Sequence, residues 1–332
     1  MRISTNSVFI PFQRNLEDIQ YKQSKLNLNL TTGKDINSIS DDPKRMVNAK
    51  EINNVMERNK SYLNNIDQSL GEMQVVDTQL GYISDALSNV QQLVVDSTNV
   101  SNSANLSTLG VEVKGMLNDL VKHANLDFNG HYVFSGTKTT DDSIKPTGNE
   151  KNTQPYELVQ GTPSTSNPSG LEVHYKGNDG KRIINKDGTS TEQINYTGSD
   201  LFGKNGTELF DKIVQLYNKI TYKSDGTART EKDPFVSGEI DNDLNSLHAQ
   251  IATLNESMNN IAAQNGSRIN RLQIISDQMK NENTQLDAFR SQQEDTDVAQ
   301  TTLDLRRTET ALQYTLQVGS QLIQKSLFDF LG

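Results

Sequence analysis

The run Gly198-Ser199-Asp200-Leu201-Phe202-Gly203-Lys204-Asn205 stops one residue short of a phosphate-binding loop, in which the lysine is followed by a hydroxyl that ligates magnesium. Asn205 stands in the hydroxyl position, and Asp200 with Phe202 would crowd backbone amides that must face phosphate. Asp241-Asn242-Asp243-Leu244-Asn245 opens like an EF-hand loop, but Ser246 replaces the turn glycine and Ala252 the bidentate glutamate. His123, His131, His174 and His248 include no pair at the spacing of helical metal ligands. Glu294, Asp295 and Asp297 could be an acid-base cluster, yet no nucleophile or base motif accompanies them. Acidic groups at a helix N-terminus explain them better. Arg268 and Arg271 read as charges on a helix surface, facing solvent or an interface. With no cysteine there is neither a disulfide framework nor a thiolate metal site. The expectation is no catalytic, cofactor-binding or metal residue, and no cofactor.

The elements that would have to position such groups are long and thin. Of 332 residues only 33% are hydrophobic, and the mean hydropathy is -0.66, which suits helices with a narrow apolar seam better than a layered enzyme core. A net charge of -10 speaks against sequence-independent nucleic-acid binding, which needs a basic footprint. No apolar run of about 18 residues exists, so no membrane insertion is expected.

Phe9, Phe12, Leu16, Ile19, Gln23, Leu26 and Leu30 recur in heptad steps, and Ala49, Ile52, Met56, Asn59, Leu63, Ile66, Leu70 and Met73 resume them. Between these runs Gly33 suits a helix C-terminus, and Asp42-Pro43 an N-cap with proline at the first helical position. The second run predicts one helix from 46 to about 98, in which Gly71 and Gly81 suggest close packing by a neighbour. A shorter helix follows from Leu106 to about Asn125, and Asn129-Gly130 then signals a hairpin. Residues 156–159, 171–175 and 193–196 read as strands, and Leu209 to Ile220 as a helix. Leu244 to Phe289 keep heptad steps in a second rod with Asn265 at one seam position. The last helix places Val298, Leu305, Leu312, Leu316, Ile323 and Leu327 near one stripe.

The expected fold is mainly α: long antiparallel helical rods, a coiled coil of the N- and C-terminal segments, and a small β-rich inserted outer domain. The boundaries predicted are 1–45 with 290–332 for the terminal coiled coil, 46–137 with 206–289 for the rod, and 138–205 for the insert.

Several words of the sequence carry a resemblance. Thr32-Gly33-Lys34, Ile36-Asn37 and Ser40-Asp41-Asp42-Pro43 look like the N-terminal signature of the bacterial flagellin family, with Asp35 and Lys44 as departures. Phe128-Asn129-Gly130, Tyr132 and Phe134-Ser135-Gly136-Thr137 resemble its junction-protein branch. So does the ending Ser326-Leu327-Phe328-Asp329-Phe330-Leu331. Gly266 to Leu272 and Ser291 to Ala299 are similar to two C-terminal family motifs.

The resemblance implies a structural part of the bacterial flagellum that joins the hook, through the first hook-associated protein, to flagellin. It further implies self-association in the junction and an export chaperone. Met1 to Asn6 lacks the apolar core of a secretory signal; the resemblance implies export without cleavage through the flagellar type III channel to an extracellular site. The expected assembly interface is Phe9, Phe12, Leu16, Ile19, Leu26, Leu30, Leu305, Leu312, Leu316, Ile323 and Leu327. The rivals are flagellin itself, a nucleotide-dependent enzyme, and a coiled-coil adhesin or scaffold.

Overall fold

The computed structural model describes residues 6–98, 106–144, 153–229 and 241–331, with side chains described over 9–97, 106–144, 153–229 and 243–321. Among these the elements run α1 (Asn6–Thr32), α2 (Pro43–Thr98), α3 (Leu106–Ala124), β1 (Asp127–Phe128), β2 (His131–Tyr132), β3 (Tyr156–Gln160) and β4 (Leu171–Tyr175). They continue with β5 (Ile183–Asn185), β6 (Thr191–Gln193), α4 (Gly198–Phe202), α5 (Glu208–Thr221), α6 (Asp241–Glu294) and α7 (Val298–Leu331). The strands form three antiparallel pairs, β1-β2, β3-β4 and β5-β6. The fold is mainly α with a small β part. By contact the chain divides into two compact units, Met1–Lys60 with Met279–Gly332, and Ser61–Gln278.

In the larger unit α2 and α6 run antiparallel, and the polar residues in their apolar seam join them. Asn265 Nδ2 donates to Met73 O at 2.9 Å, Ser276 Oγ to Asp67 Oδ1 at 3.3 Å and Ser84 Oγ to Asn255 Oδ1 at 2.9 Å. Each adds little net stability, but a slipped register would bury these groups unpaired, so they fix the pairing. The seam between them is apolar: Ile66, Met73, Val76, Leu80, Ile83 and Leu87 are all buried. Packing does not require the two helical glycines, contrary to the expectation for them. A Cβ on Gly71 would lie 3.7 Å from Phe128 Cζ, an ordinary contact, and one on Gly81 would meet nothing within 4 Å.

The Asn129-Gly130 turn has φ of 53° and 79°, the two positive values that a two-residue hairpin of this twist demands, and it closes β1 on β2. Beyond it, Phe134, Tyr156, Phe202 and Phe210 form an aromatic core, with Phe202 5.2 Å from Tyr156 and 5.0 Å from Phe210 between ring centroids. Ser135 is fully buried, and Gly136, at φ 71°, lies against the Asn178 backbone.

The expected strand at 193–196 is displaced to Thr191–Gln193, paired with a β5 that the sequence pattern does not signal. Asn195 explains the shift. Its buried side chain accepts from Arg182 N at 2.7 Å and donates to Gly180 O at 2.9 Å, so the chain leaves the ladder to satisfy it.

Arg268 and Arg271 are not free surface charges. Arg271 Nη2 donates to Glu192 Oε1 at 2.6 Å, and Arg268 Nη1 donates to Gln193 O at 3.3 Å while its guanidinium lies 5.2 Å from the Tyr196 ring centre. Together with the Arg182–Glu72 pair they tie the β5-β6 hairpin to the two long helices. The phosphate-loop-like run is α4 followed by a 3-10 turn, and the Lys204 amide is taken by Glu208 Oε2 at 2.9 Å. A phosphate there would have to displace a carboxylate.

Candidate assembly surface

The terminal unit is built around two helix breaks brought together. Gly33, at φ 72°, ends α1, and Asp42 caps α2, its Oδ1 accepting from Lys44 N and Arg45 N at 3.1 Å each. Asp297 caps α7 in the same way, accepting from Ala299 N and Gln300 N at 3.0 Å each. Between the breaks Lys34 and Asp295 form an antiparallel bridge: Asp35 N donates to Glu294 O at 2.7 Å and Thr296 N to Gly33 O at 2.9 Å.

Side chains reinforce the bridge. Lys34 Nζ lies 3.0 Å from the buried Glu294 carboxylate, and Arg45 donates to Asp35 Oδ2 at 3.0 Å and to Gln293 O at 2.8 Å. Asp35, a departure from the family pattern, is thus one half of an ion pair. The acidic trio is spent on structure: Glu294 pairs with lysine, Asp295 bridges, and Asp297 caps.

Within the 33–42 segment the Asp41 carboxylate accepts from Ser38 N at 2.9 Å and Asn37 N at 3.1 Å and pairs with Lys25 at 2.9 Å. The bond to Lys25, followed by those two amides, holds the Asp41 carboxyl down to about 2. A depressed carboxyl stabilises the folded segment above the ordinary carboxylate range, and that contribution is lost as pH falls through about 2. The protection of the Asn37 and Ser38 amides from hydrogen exchange, taken relative to the intrinsic rate at each pH, should therefore persist at about pH 3.5 and fall only toward pH 2. Protection already lost at about pH 5 would show that Asp41 does not hold the segment.

α1 packs on α7. Phe12, Leu16, Ile19, Gln23, Leu26 and Leu30 are half-buried on α1, in heptad steps, beside a half-buried Lys25 and a buried Asn29. On α7 the main stripe is Thr301, Leu305, Thr308, Leu312, Thr315 and Gly319. The threonine hydroxyls in it cost little, because Thr308 donates to Asp304 O at 2.7 Å and Thr315 to Ala311 O at 2.8 Å in their own helix. A Cβ on Gly319 would fall 2.3 Å from the Phe12 ring, so the glycine lets that ring approach the helix backbone.

The expected interface residues therefore divide. Phe12, Leu16, Ile19, Leu26, Leu30, Leu305 and Leu312 take inward positions, while Phe9 and Leu316, 49% and 51% exposed, stay outside. Val298, expected on the same stripe, is exposed. The side chains of Ile323 and Leu327 lie outside the described residues.

The helices carry a second apolar stripe that the heptad pattern of the seam does not reveal. Ile10, Tyr21 and Leu28 lie on the side of α1 opposite its seam, and Leu303 and Tyr314 on the far side of α7 with Val318 on its flank; all six are exposed. Ile39, Val47 and Phe289 add to the exposed apolar surface of this unit. In the larger unit the exposed large apolar residues, among those described, are Tyr82, Val95, Val111, Ile183 and Ile274. The exposed large apolar residues are thus concentrated on the terminal unit. The signal that could have found them is the recurrence of apolar residues at close to whole helical turns on other sides of helices already assigned.

Comparison with known proteins bears on this unit first. Residues 3–139 match the bacterial flagellin N-terminal helical region. That match covers less than half of this chain. It is similar to flagellar hook-associated protein 3 of Escherichia coli strain K12, 26% identical over 141 residues, which are 42% of this chain and 44% of the relative. The match thus spans less than half of the relative's length. Two solved structures share the fold. A flagellar hook-associated protein from Vibrio parahaemolyticus has a TM-score of 0.59 at 20% identity, covering 77% of this chain and 100% of that one. The flagellar junction protein from Legionella pneumophila has 0.54 at 14%, covering 75% and 100%. The junction-branch resemblance agrees with the similarity to flagellar hook-associated protein 3. Among the described residues no helix is long and apolar enough to cross a membrane.

Proposed function

We propose that this chain is a structural subunit of the bacterial flagellum that joins the hook to the flagellin filament by helix packing. The observation that carries the reading is the α1–α7 pair with apolar residues both inside its seam and on its outer sides, since a helix pair that functioned alone would keep its outer sides polar. The similarity to hook-associated protein 3 supports this position in the flagellum. In this reading the inward set makes the coiled coil, and Phe9, Leu316 and the outer stripes meet neighbouring subunits. The partners are the first hook-associated protein on one side, flagellin on the other and further copies of this chain, with a chaperone during type III export. Residues 1–45 with 290–332 form the packed part, 46–137 with 206–289 the rod, and 138–205 the outer domain. The role is structural rather than catalytic.

Immunogold labelling of isolated hook-filament assemblies should place the protein in a band between hook and filament, and cells lacking it should shed flagellin into the medium. Label along the whole filament would make it a filament subunit instead, a rival that the match to the flagellin N-terminal region supports. Absence from the flagellum would end both readings.

A further inference from the structure

The outer sides of α1 and α7 carry the same apolar spacing with opposite charge. Ile10 and Tyr21 stand eleven residues apart on α1, and Leu303 and Tyr314 eleven apart on α7, so each pair spans three turns and about 16 Å. All four are exposed, Tyr21 to 70% and Tyr314 to 65%. Between the apolar residues of α1 lie Glu17 and Asp18, and between those of α7 lie Arg306 and Arg307, again all exposed. Glu17 accepts from Gln13 Nε2 at 3.2 Å, and Arg307 Nη1 lies 3.3 Å from Asp304 Oδ1. Such exposed contacts within one helix are worth little and leave each charged group with further bonds to make. Among the described residues the side chains of Asp18 and Arg306 are unpaired.

Laid antiparallel, the two faces match residue for residue. With Tyr21 level with Leu303, Ile10 comes level with Tyr314, Glu17 with Arg307 and Asp18 with Arg306. Laid parallel, with Ile10 level with Leu303, the acidic residues meet Thr310 and Ala311 while Arg14 faces Arg307, so no charge is paired. Two copies of α7 would bring their arginines together, and two copies of α1 would leave the α7 stripe uncovered. Because the two stripes face away from each other across the α1–α7 seam, a contact of α1 on α7 leaves one stripe free at each side of the pair and repeats head to tail. We propose that α1 of one copy packs antiparallel on α7 of the next, with Tyr21 against Leu303 and Glu17-Asp18 against Arg307-Arg306. This rests on the terminal unit being a packing surface, and it names a second copy as the partner and fixes the register. In a flat ring the register inside the chain, where Phe12 meets Gly319, would repeat between copies and set Glu17 on Tyr314 and Lys25 on Arg306. The proposed register differs from that by seven residues, so each copy steps by about 10 Å along the helix axis and the row climbs.

The chain has no cysteine, so introduced pairs report the register directly. In oxidised hook-filament assemblies, Tyr21→Cys/Leu303→Cys should give a ladder of linked copies. Ile10→Cys/Leu303→Cys, the parallel register, and Leu28→Cys/Leu303→Cys, the flat ring, should give none. Sedimentation of the purified full-length protein is the second test. Glu17→Arg/Asp18→Arg and Arg306→Glu/Arg307→Glu should each weaken self-association at least about tenfold with unchanged melting. An equimolar mixture of the two should restore it, since each then supplies the charge the other needs, and the restored association should weaken as salt is raised. Gold label at the junction without a ladder from the Tyr21 pair would overturn the register while leaving the proposed function standing. The mixing test needs no flagellum, so it decides the register even if the label is absent there or the cysteine variant does not assemble. A ladder of equal strength from either control pair, linked dimers with no larger species, unchanged association in both reversals, or a mixture that stays dissociated would also overturn the proposal.

Discussion

Gly136→Ala is expected to destabilise the larger unit by about 2–5 kcal/mol, because the substitution combines two penalties. At φ 71° an L-residue strains its own backbone by about 1–2 kcal/mol. In addition the new Cβ would stand 2.0 Å from Asn178 O and 2.8 Å from its carbonyl carbon, so backbone rather than a flexible side chain would have to move. The same asparagine cannot shift freely. Asn178 N donates to Ser135 O at 3.1 Å, its Oδ1 accepts from Thr137 N at 2.8 Å, and Tyr175 Oη donates to Asn178 O at 3.1 Å. Displacing it would loosen the corner where Phe134 enters the aromatic core.

Gly81→Ala is the matched control. It sits mid-helix in α2 with nothing near its Cβ position and should stabilise by about 0.5–1 kcal/mol through helix propensity alone. Chemical denaturation followed by circular dichroism reads both. Equal midpoints for the two variants would show that the Gly136 corner is not held as tightly as its contacts imply.

That corner explains why Phe134-Ser135-Gly136-Thr137 stands out as a word in the amino-acid sequence: each residue has a physical duty. Phe134 fills the core, Ser135 is buried with its hydroxyl on Tyr132 O, Gly136 permits contact, and Thr137 ties to Asn178. The long helices are legible for a similar reason, since apolar heptads and the Gly33 and Asp42-Pro43 breaks are local signals. What stays hidden depends on partners far away in the chain. Arg268 and Arg271 leave solvent and interface both open in the sequence because Glu192 and Gln193, which hold them, lie more than 70 residues earlier. The β5 strand is hidden by its brevity, and β6 is displaced from its expected position because a buried asparagine, not propensity, ends it.

The α7 stripe shows a subtler limit. A 3.5-residue period lets either Thr315 or Leu316 follow Leu312, and hydrophobicity favours Leu316. The helix turns Thr315 inward instead, its hydroxyl bonded within the helix, and leaves the leucine outside. A choice that gives up apolar burial inside the chain makes sense if the exposed leucine is covered by something else.

Leu316→Asp and Leu312→Asp should therefore fail in opposite ways. Leu312 is half-buried in the stripe that meets α1, so a carboxylate there is partly desolvated in the isolated chain, and the α1–α7 pair should loosen and lose helicity before any assembly is attempted. Leu316 is 51% exposed, so its aspartate stays hydrated in the free subunit, and the melting curve should move by less than about 0.5 kcal/mol. In the assembled junction the same carboxylate would be enclosed by a neighbouring subunit with no cation supplied for it. Desolvation then costs several kcal/mol per subunit, and at 1.4 kcal/mol per factor of ten, a loss of about 4 kcal/mol weakens each contact by about a thousandfold. Tyr314→Asp, on the outer stripe at 65% exposure, should repeat the Leu316 result from a different side of the helix. Cells carrying Leu316→Asp or Tyr314→Asp should export a normally folded subunit, lose filament attachment and release flagellin. Normal swimming in both would show that the outer faces of α7 carry no contact, and the assembly reading would then rest on the inner seam alone.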